Sequence, residues 1–593
     1  MILSFGIVFA SVSDGAANSR LRIAVNPKTG GYAIGTRGGL PPVLTAATAA
    51  RVDGRWLHAA DFPKHVFTMS EVVGALGKAD EWTITYSGLK DAPELVCKIR
   101  IYRNAPFGEI QAVARDSTTK TFHVEAFRLI DAQASSIHDG SIINLHGPQA
   151  EDRVLSDSFS EDRPAVAIRD LADTEKPVYR GVGSQLVYNR QSHLSWFVGA
   201  LTSNRFLSVM RLHTVGAAGD THIGSYQVDS TGTTELTAEY SLRNSPPEDR
   251  VELSLPLTPG KELKSERLIF SVSDNYHQQL ETYGKLIRDL HHARVTTPTA
   301  LGWWSWTSYY SALSEGTAIT NAEYLAQHLK PFGYNFFHID EGYQFARGEY
   351  ATPDAELFPH GMAEFEQKVV ALGLVPGIWT APFQVSERSR VYEMHPDWLV
   401  RNAKGVPIHA GLGADKTDRL FVLDTTNPGA QEYLRQTYAT LVRDWKIHYI
   451  KLDFMDDTAI EGHYFRPDTT ALEAQRMGLE IIRDVVGNNV LLDKDGSAML
   501  NPVGYVDMGR ISQDTGHTFT ATKDAATGVA ARYYMNRNFF VSDADAFTVS
   551  KQTILDQAWH ESANPLSLKE AEVSIALSAI SGGMFEIGDD LPT

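Results

Sequence analysis

From residue 300 onward the chain alternates two patterns, and this alternation constrains its fold more than any other feature. Short apolar runs of strand length are separated by longer stretches with apolar residues at helical spacing. The strand-like runs are 301–306, 334–340, 375–381, 447–454, 490–494, 506–512, 539–542 and 584–587. Between them the spacing predicts helices over 322–330, 362–372, 428–445, 471–486, 523–536 and 568–580. Strands buried on both faces read as near-continuous apolar runs, and eight of them interleaved with helices predict a (β/α)8 barrel over 300–593. A doubly wound sheet is the alternative. The GxGxxG turn and phosphate-loop lysine that would favour it do not occur here.

The preceding stretch, 20–272, reads differently. Short alternating segments such as 21–25, 95–102, 194–201, 205–212, 234–242 and 251–255 are broken by Gly, Pro, Asp and Asn. That texture predicts a large antiparallel β-sandwich with no fixed repeat. Residues 273–299 read as a connecting helix and linker, with Leu280, Tyr283, Leu286 and Leu290 on one face. Residues 1–19 open with an apolar run of signal-peptide length followed by small residues. The first basic residue is Arg20, so the run reads either as a leader or as a first strand. The balance favours a leader, and with it a periplasmic or secreted location.

Charge narrows the partners. Fifty-four basic and 72 acidic residues give a formal charge of −18, without long blocks of one sign. Such a surface repels phosphate backbones and anionic lipid, which argues against nucleic acid and membrane partners and leaves neutral or cationic small molecules. The sequence holds one cysteine, Cys97, so an intrachain disulfide and a cysteine metal cluster are excluded. Cys97 lies in an alternating strand and is expected to be a packing residue.

Barrel enzymes carry their reactive groups at the C-terminal ends of strands. Five of the predicted strands end in carboxylates: Asp340-Glu341, Asp453, Asp493 with Asp495, Asp514 after Arg510, and Asp543 with Asp545. Any one of these could be a helix N-cap, but five on one rim point to a site. Lys451 and Asp453 share a strand face, so the lysine is expected either to keep that aspartate ionised as a nucleophile or to form a structural ion pair. Gly509 and the polar residues after Arg510 argue against a helix there and let Asp514 face the pocket. Trp303, Trp304, Trp306, Tyr309, Tyr310 and Trp379 surround the same rim. Rings beside carboxylates suit a pyranose, whose apolar face stacks while its hydroxyls donate. At least one of Trp303 and Trp304 is expected to pack outward against helices instead. Asp493-x-Asp495-Gly496 lacks the loop glycine and closing glutamate of a calcium loop, and no HExxH occurs, so no metal is expected.

Taken together, these strand ends resemble the melibiase-type α-galactosidases of glycoside hydrolase clan D. The segments that carry the resemblance are Gly302-Trp-Trp-Ser-Trp306, Gly333-Tyr-Asn-Phe-Phe-His-Ile-Asp-Glu-Gly342, Gly377-Ile-Trp379, Tyr449-Ile-Lys-Leu-Asp453, Arg510-x-x-x-Asp514 and Ser542-Asp-Ala-Asp545. His395-Pro-Asp-Trp-Leu399 and Leu423-Asp-Thr-Thr-Asn-Pro428 are similar to the bacterial branch, family 36, with its N-terminal β-supersandwich. The resemblance implies Asp453 as nucleophile and Asp514 as general acid/base. It also implies Asp340, Lys451 and Arg510 as ligands of sugar hydroxyls, Trp306 and Trp379 as aromatic walls, Asp495 near the sugar 2-hydroxyl and Asp545 on a motif closing the pocket. The implied reaction is a retaining double displacement, with the two carboxyls about 5–5.5 Å apart and Asp514 the weaker acid of the pair. No cofactor is implied, and the implied partner is a neutral oligosaccharide or glycoside.

The sequence also departs from the family. Glu341 and Tyr343 stand where the family usually has Asp and Trp, and Ala381-Pro382 replaces an acidic-proline pair. Asp493-Lys-Asp-Gly-Ser497 replaces a segment rich in Cys and Gly, and the C-terminal β-sandwich is expected to be absent. The extra methylene of Glu341 would crowd the C6 hydroxymethyl of galactose. A β-L-arabinopyranoside has the same ring configuration without C6. Two further alternatives share the scaffold: a galactosyl-transferring enzyme resembling raffinose synthase, and a sugar-binding protein without turnover.

Overall fold

Val, Ile and aromatic residues at alternate positions between Leu21 and Ser273 form antiparallel strands in two sheets, one of nine strands and one of ten among the described residues. The computed structural model describes residues 21–37, 41–133, 142–163, 165–172, 177–216, 221–550 and 566–593. The leader reading of 1–19 lies outside them. Each sheet buries one face. Tyr226 of the nine-stranded sheet and Trp196 of the ten-stranded sheet are both fully buried. Cys97 is fully buried on its strand, and burial pushes its thiol up to about 12, which makes it an unreactive packing residue.

The chain divides into two compact units. One comprises Met1–Ser158, Ala167–Thr233 and Glu252–Leu286, and the other Phe159–Val166, Thr234–Val251 and Ile287–Thr593. Two pieces of the stretch read as sandwich therefore pack with the barrel. The strand expected over 234–242 is also corrected. It is a helical turn, Thr234–Thr237, continued by turns in which Leu242 N–H donates to Thr237 O at 2.8 Å. Leu236 and Tyr240 are four apart as well as evenly spaced, so this short run fits both periods. Leu242 settles the matter by packing with Val400, Ile408, Val422 and Ile460.

Among the described residues, the second unit holds one sheet of eight parallel strands. They are β1 (Leu301–Trp304), β2 (Phe336–Ile339), β3 (Val375–Thr380), β4 (Tyr449–Leu452), β5 (Leu491–Lys494), β6 (Met508–Arg510), β7 (Val541–Asp543) and β8 (Phe585–Ile587). Hydrogen bonding runs β7-β6-β5-β4-β3-β2-β1-β8. The gap between β7 and β8 is bridged by Met584 N–H to Ser542 O at 2.7 Å and Phe547 N–H to Glu586 O at 2.9 Å. Gly583 sits so close to the Ser542 carbonyl that any Cβ would collide with it, so this seam requires glycine. The observed strands are trimmed versions of the expected runs, except β7, which starts later than expected and extends one residue further, to Asp543. The first stops at Trp304 because Trp306–Tyr309 turns into a helix.

Helices follow where expected: those starting at Met362, Pro428, Ala471 and Leu568 begin at the expected residue, and two others begin earlier. Ser314 caps a helix over Glu315–Tyr324 that ends in a π-turn, Leu325–Leu329, so this element begins seven residues before the spacing suggested. Asn427, Thr470, Thr518 and Ser567 cap later helices. The side-chain caps among the described helices are Ser, Thr and Asn, so the acidic strand ends are not spent on capping. A small antiparallel sheet, Gln384–Ser386, His409–Leu412 and Arg419–Val422, interrupts the β3–β4 connection. No described helix is long and apolar enough to cross a membrane.

Candidate active site

The C-terminal strand ends converge on a pocket of about 330 Å³. Of the ten residues singled out in the sequence, eight line it. The carboxylates are Asp340, Glu341, Asp453, Asp495 and Asp514, the cation is Lys451, and the rings are Trp306 and Trp379. Arg510 and Asp545 are placed differently. Both are buried behind the wall, where Arg510 donates to Asp495 and Asp545 at 2.7 Å each and also to Asp514. Asp545 also accepts from Thr515 N–H at 2.6 Å. Arg510 is therefore positioned to fix three carboxylates rather than to face a ligand.

The floor is buried and charged. Lys451 lies 3.0 Å from Asp495, 3.4 Å from Asp340 and 3.7 Å from Asp453. Burial would lower its ammonium, but Asp340, Asp495 and Asp453 overcome this and hold it well above the usual lysine range. Burial would likewise raise Asp495, but Arg510 and Lys451 hold it well below the usual carboxylate range. Asp453 fares otherwise. Burial, then the Asp495 charge, push it up to about 8, against Lys451 and the Trp379 Nε1–H bond to its Oδ2 at 2.8 Å. Lys451 therefore favours the ionised form of Asp453, as expected, but does not prevail over burial and Asp495. The reason is competition, since the lysine is shared and sits nearer the other two carboxylates.

Backbone strain marks the same place. Tyr310, Phe454 and Asp545 adopt φ of 47°, 52° and 70°, a region non-glycine residues rarely enter. Phe454 directly follows Asp453 and donates its N–H to Asp453 Oδ1 at 2.7 Å. Gly496 faces it, and a Cβ there would lie 2.8 Å from Phe454 N.

Of the two tryptophans at the end of β1, Trp304 lines the pocket and donates to Asp340, while Trp303 stacks on Phe337 at 4.6 Å, away from the site, as expected for at least one of the pair. Other wall residues were not foreseen. Arg347 holds Glu341 with two bonds of 2.6 and 2.7 Å, donates to Gln384 at 2.7 Å, and lies 4.3 Å from the Phe454 ring centroid. Glu161, Asp162 and Arg163, from a segment remote in sequence, complete the wall. Among the described residues, no group of three or more His, Cys, Asp or Glu is placed to hold a metal ion.

Comparison with known proteins shows what the chain is similar to. Residues 265–482 match the family model Melibiase. α-Galactosidase 1 of Pediococcus pentosaceus is 27% identical over 265 residues, which is 44% of this chain and 32% of that protein. α-Galactosidase 2 of the same organism is 24% identical over 202 residues, 33% of this chain and 25% of that protein. The matched stretch thus spans less than a third of either curated relative. The crystal structure of the family 36 α-galactosidase AgaA from Geobacillus stearothermophilus superposes with a TM-score of 0.59 at 15% identity, covering 97% of this chain and 75% of that one. The Thermus thermophilus α-galactosidase, solved with p-nitrophenyl α-D-galactopyranoside, gives a TM-score of 0.56 at 18% identity, covering 88% and 91%.

Proposed function

We propose that this chain, a melibiase-type protein with the fold of the family 36 α-galactosidases, is a retaining exo-glycosidase for non-reducing sugar ends of galactose configuration. The observation that carries the proposal is the placement of Asp453. It sits at the end of β4 in a pocket with a buried charged floor, held by the Trp379 indole and beside Lys451, with Asp514 lining the same pocket.

In this reading a terminal pyranose stacks against the tryptophans, and its hydroxyls donate to Asp340 and Asp495 while accepting from Lys451. Ionised Asp453 attacks the anomeric carbon. Asp514 protonates the departing oxygen, then takes the proton from the water that releases the sugar. The transition state is oxocarbenium-like and cationic. A floor richer in carboxylates than in cations stabilises that charge where it develops.

Glu341 favours a second specificity on the same scaffold. Its carboxylate is clamped by Arg347 in the pocket wall that also holds Asp340, and on this reading the extra methylene of Glu341 crowds a C6 hydroxymethyl. A β-L-arabinopyranoside lacks that group. Chromogenic α-galactoside and β-L-arabinopyranoside, assayed side by side with product anomers followed by NMR, test both readings. Hydrolysis with retention of at least one is expected, and Asp453→Ala should lower its rate on the order of 10⁴-fold. Inactivity on both substrates refutes the substrate class, and an unchanged Asp453→Ala rate refutes the mechanism.

A further inference from the structure

Segment 159–163 belongs to the barrel unit although the strands flanking it in sequence, Asp152–Ser156 and Ala167–Asp170, pair in the other unit. Polar contacts fix it to the barrel's C-terminal rim. Ser160 Oγ–H donates to Asp456 Oδ2 at 2.7 Å. Lys494 Nζ donates to Glu161 Oε2 at 2.9 Å, and Gly496 N–H to Glu161 Oε1 at 2.6 Å. Arg532 Nη1–H donates to the Glu161 carbonyl at 3.1 Å. Arg163 pairs with Asp457, lies 3.7 Å from Asp456, and stands over the rings of Tyr240 and Phe454. Lys494 and Glu161 are both buried, so the segment is locked to β5 by a charge pair that neither partner can leave cheaply. Asp162 lies between these anchors.

Exposure gives the pocket a direction. At the floor, the side chains of Asp340 and Lys451 are 3% and 8% exposed, whereas Asp162 and Arg163 are 32% and 28% exposed and Asp514 is 72% exposed. A terminal sugar seated on the floor must send its glycosidic oxygen, and whatever is attached to it, toward the rim that carries Asp514, Asp162 and Arg163.

Resting on the proposed glycosidase reading, we propose that segment 159–163 builds the leaving-group side of the pocket, with Asp162 and Arg163 holding a sugar leaving group by its hydroxyls. The chemistry is matched. Asp162 and Arg163 stand 3.6 Å apart and present a carboxylate acceptor next to a guanidinium donor, and a sugar hydroxyl both donates and accepts. An apolar aglycone would cover the carboxylate without replacing its hydrogen bonds, so the pair selects for polyhydroxylated leaving groups and acceptors.

The test uses the full chain and Asp162→Ala, with Asp162→Asn as the shape-preserving variant; both leave the Glu161–Lys494, Ser160–Asp456 and Arg163–Asp457 contacts in place, and Asp162→Asn also keeps an acceptor for Ser160. A p-nitrophenyl glycoside serves as donor with a free sugar as acceptor, and transfer product is measured against hydrolysis. The same enzymes are assayed on a disaccharide with the same terminal sugar. The wild type is expected to form transfer product. Asp162→Ala should lose about 10- to 100-fold in kcat/KM on the disaccharide, the range for a lost hydrogen bond to a charged group, and change by less than about threefold on the p-nitrophenyl glycoside. Its transfer-to-hydrolysis ratio should fall, and Asp162→Asn should lie between. A wild type that forms no transfer product, or an Asp162→Ala variant with an unchanged ratio and equal losses on both substrates, overturns the inference while the glycosidase reading stands. A wild type inactive on every glycoside overturns both.

Discussion

Replacing Asp495 by asparagine should move the acid limb of the kcat/KM profile downward by nearly two pH units, and the size follows from the floor of the pocket. Asp495 carries a full negative charge at working pH, because Arg510 and Lys451 hold it ionised against the cost of burial. Asp453 is pushed up to about 8, by burial first and by Asp495 next. Both carboxylates reach the same ammonium, at 3.0 and 3.7 Å. Their nearest oxygens are therefore no more than about 7 Å apart, and at an effective dielectric of about 20 two unit charges at that separation repel by about 2.4 kcal/mol. At about 1.4 kcal/mol per pH unit, removing the charge lowers the Asp453 pKa by roughly 1.7 units. Asparagine also releases Lys451 toward Asp340 and Asp453, which acts in the same direction.

The assay is the pH dependence of kcat/KM on a p-nitrophenyl glycoside, whose activated leaving group depends little on acid assistance. This parameter reports the free enzyme. The nucleophile must be ionised, so the wild-type rate should fall as pH drops through about 8. In Asp495→Asn the fall should begin near about 6 by the same electrostatic reckoning. The height of the profile will also drop, since Asp495 lines the pocket, but the position of the limb is the readout. A limb that stays in place or moves upward would refute the account of a shared lysine and a carboxylate-loaded nucleophile.

Trp379→Phe should shift the same limb the other way, up by about one unit, because it removes a donor 2.8 Å from Asp453 Oδ2 that favours the charged form. Glu341→Asp should raise galactoside turnover relative to arabinopyranoside by about 10- to 200-fold, the worth of one methylene in a tight site, as read from the ratio of kcat/KM values. Lys451→Met should destabilise the fold by about 3–5 kcal/mol, since it leaves three buried carboxylates without their common cation. The sign with pH is fixed. Asp340 and Asp453 are raised in the folded state, so the fold binds their protons more tightly than the unfolded chain and loses stability as pH rises from the ordinary carboxylate range toward about 8. Without Lys451 these carboxyls rise further, so the gap in Tm between variant and wild type should widen as pH climbs past the wild-type Asp453 value of about 8 in thermal melts.

The barrel was legible because strands buried on both faces leave unbroken apolar runs, and the site was legible because a barrel gathers strand ends on one rim. Asp340, Asp453, Asp495 and Asp514 needed only those two rules. The charge balance among them did not follow, because parity places Lys451 beside Asp453 but cannot show that Asp495 and Asp340 lie closer to it. Segment 159–163 was hidden for a stronger reason: Glu161 and Lys494 are 333 residues apart, and no periodicity connects them. Yet Lys494 carried a usable signal. It alternates with Asp493 and Asp495 on β5, so it faces away from them, and its neighbours across the sheet are Leu452 and Gly509. A lysine in an apolar strand with no acid beside it requires a carboxylate from outside the sheet, because an isolated buried ammonium is too costly to persist. That requirement could have been stated from the sequence, although the identity of the partner could not. The partner it calls for is the residue next to Asp162, which ties the fold's need for neutrality to the wall of the pocket.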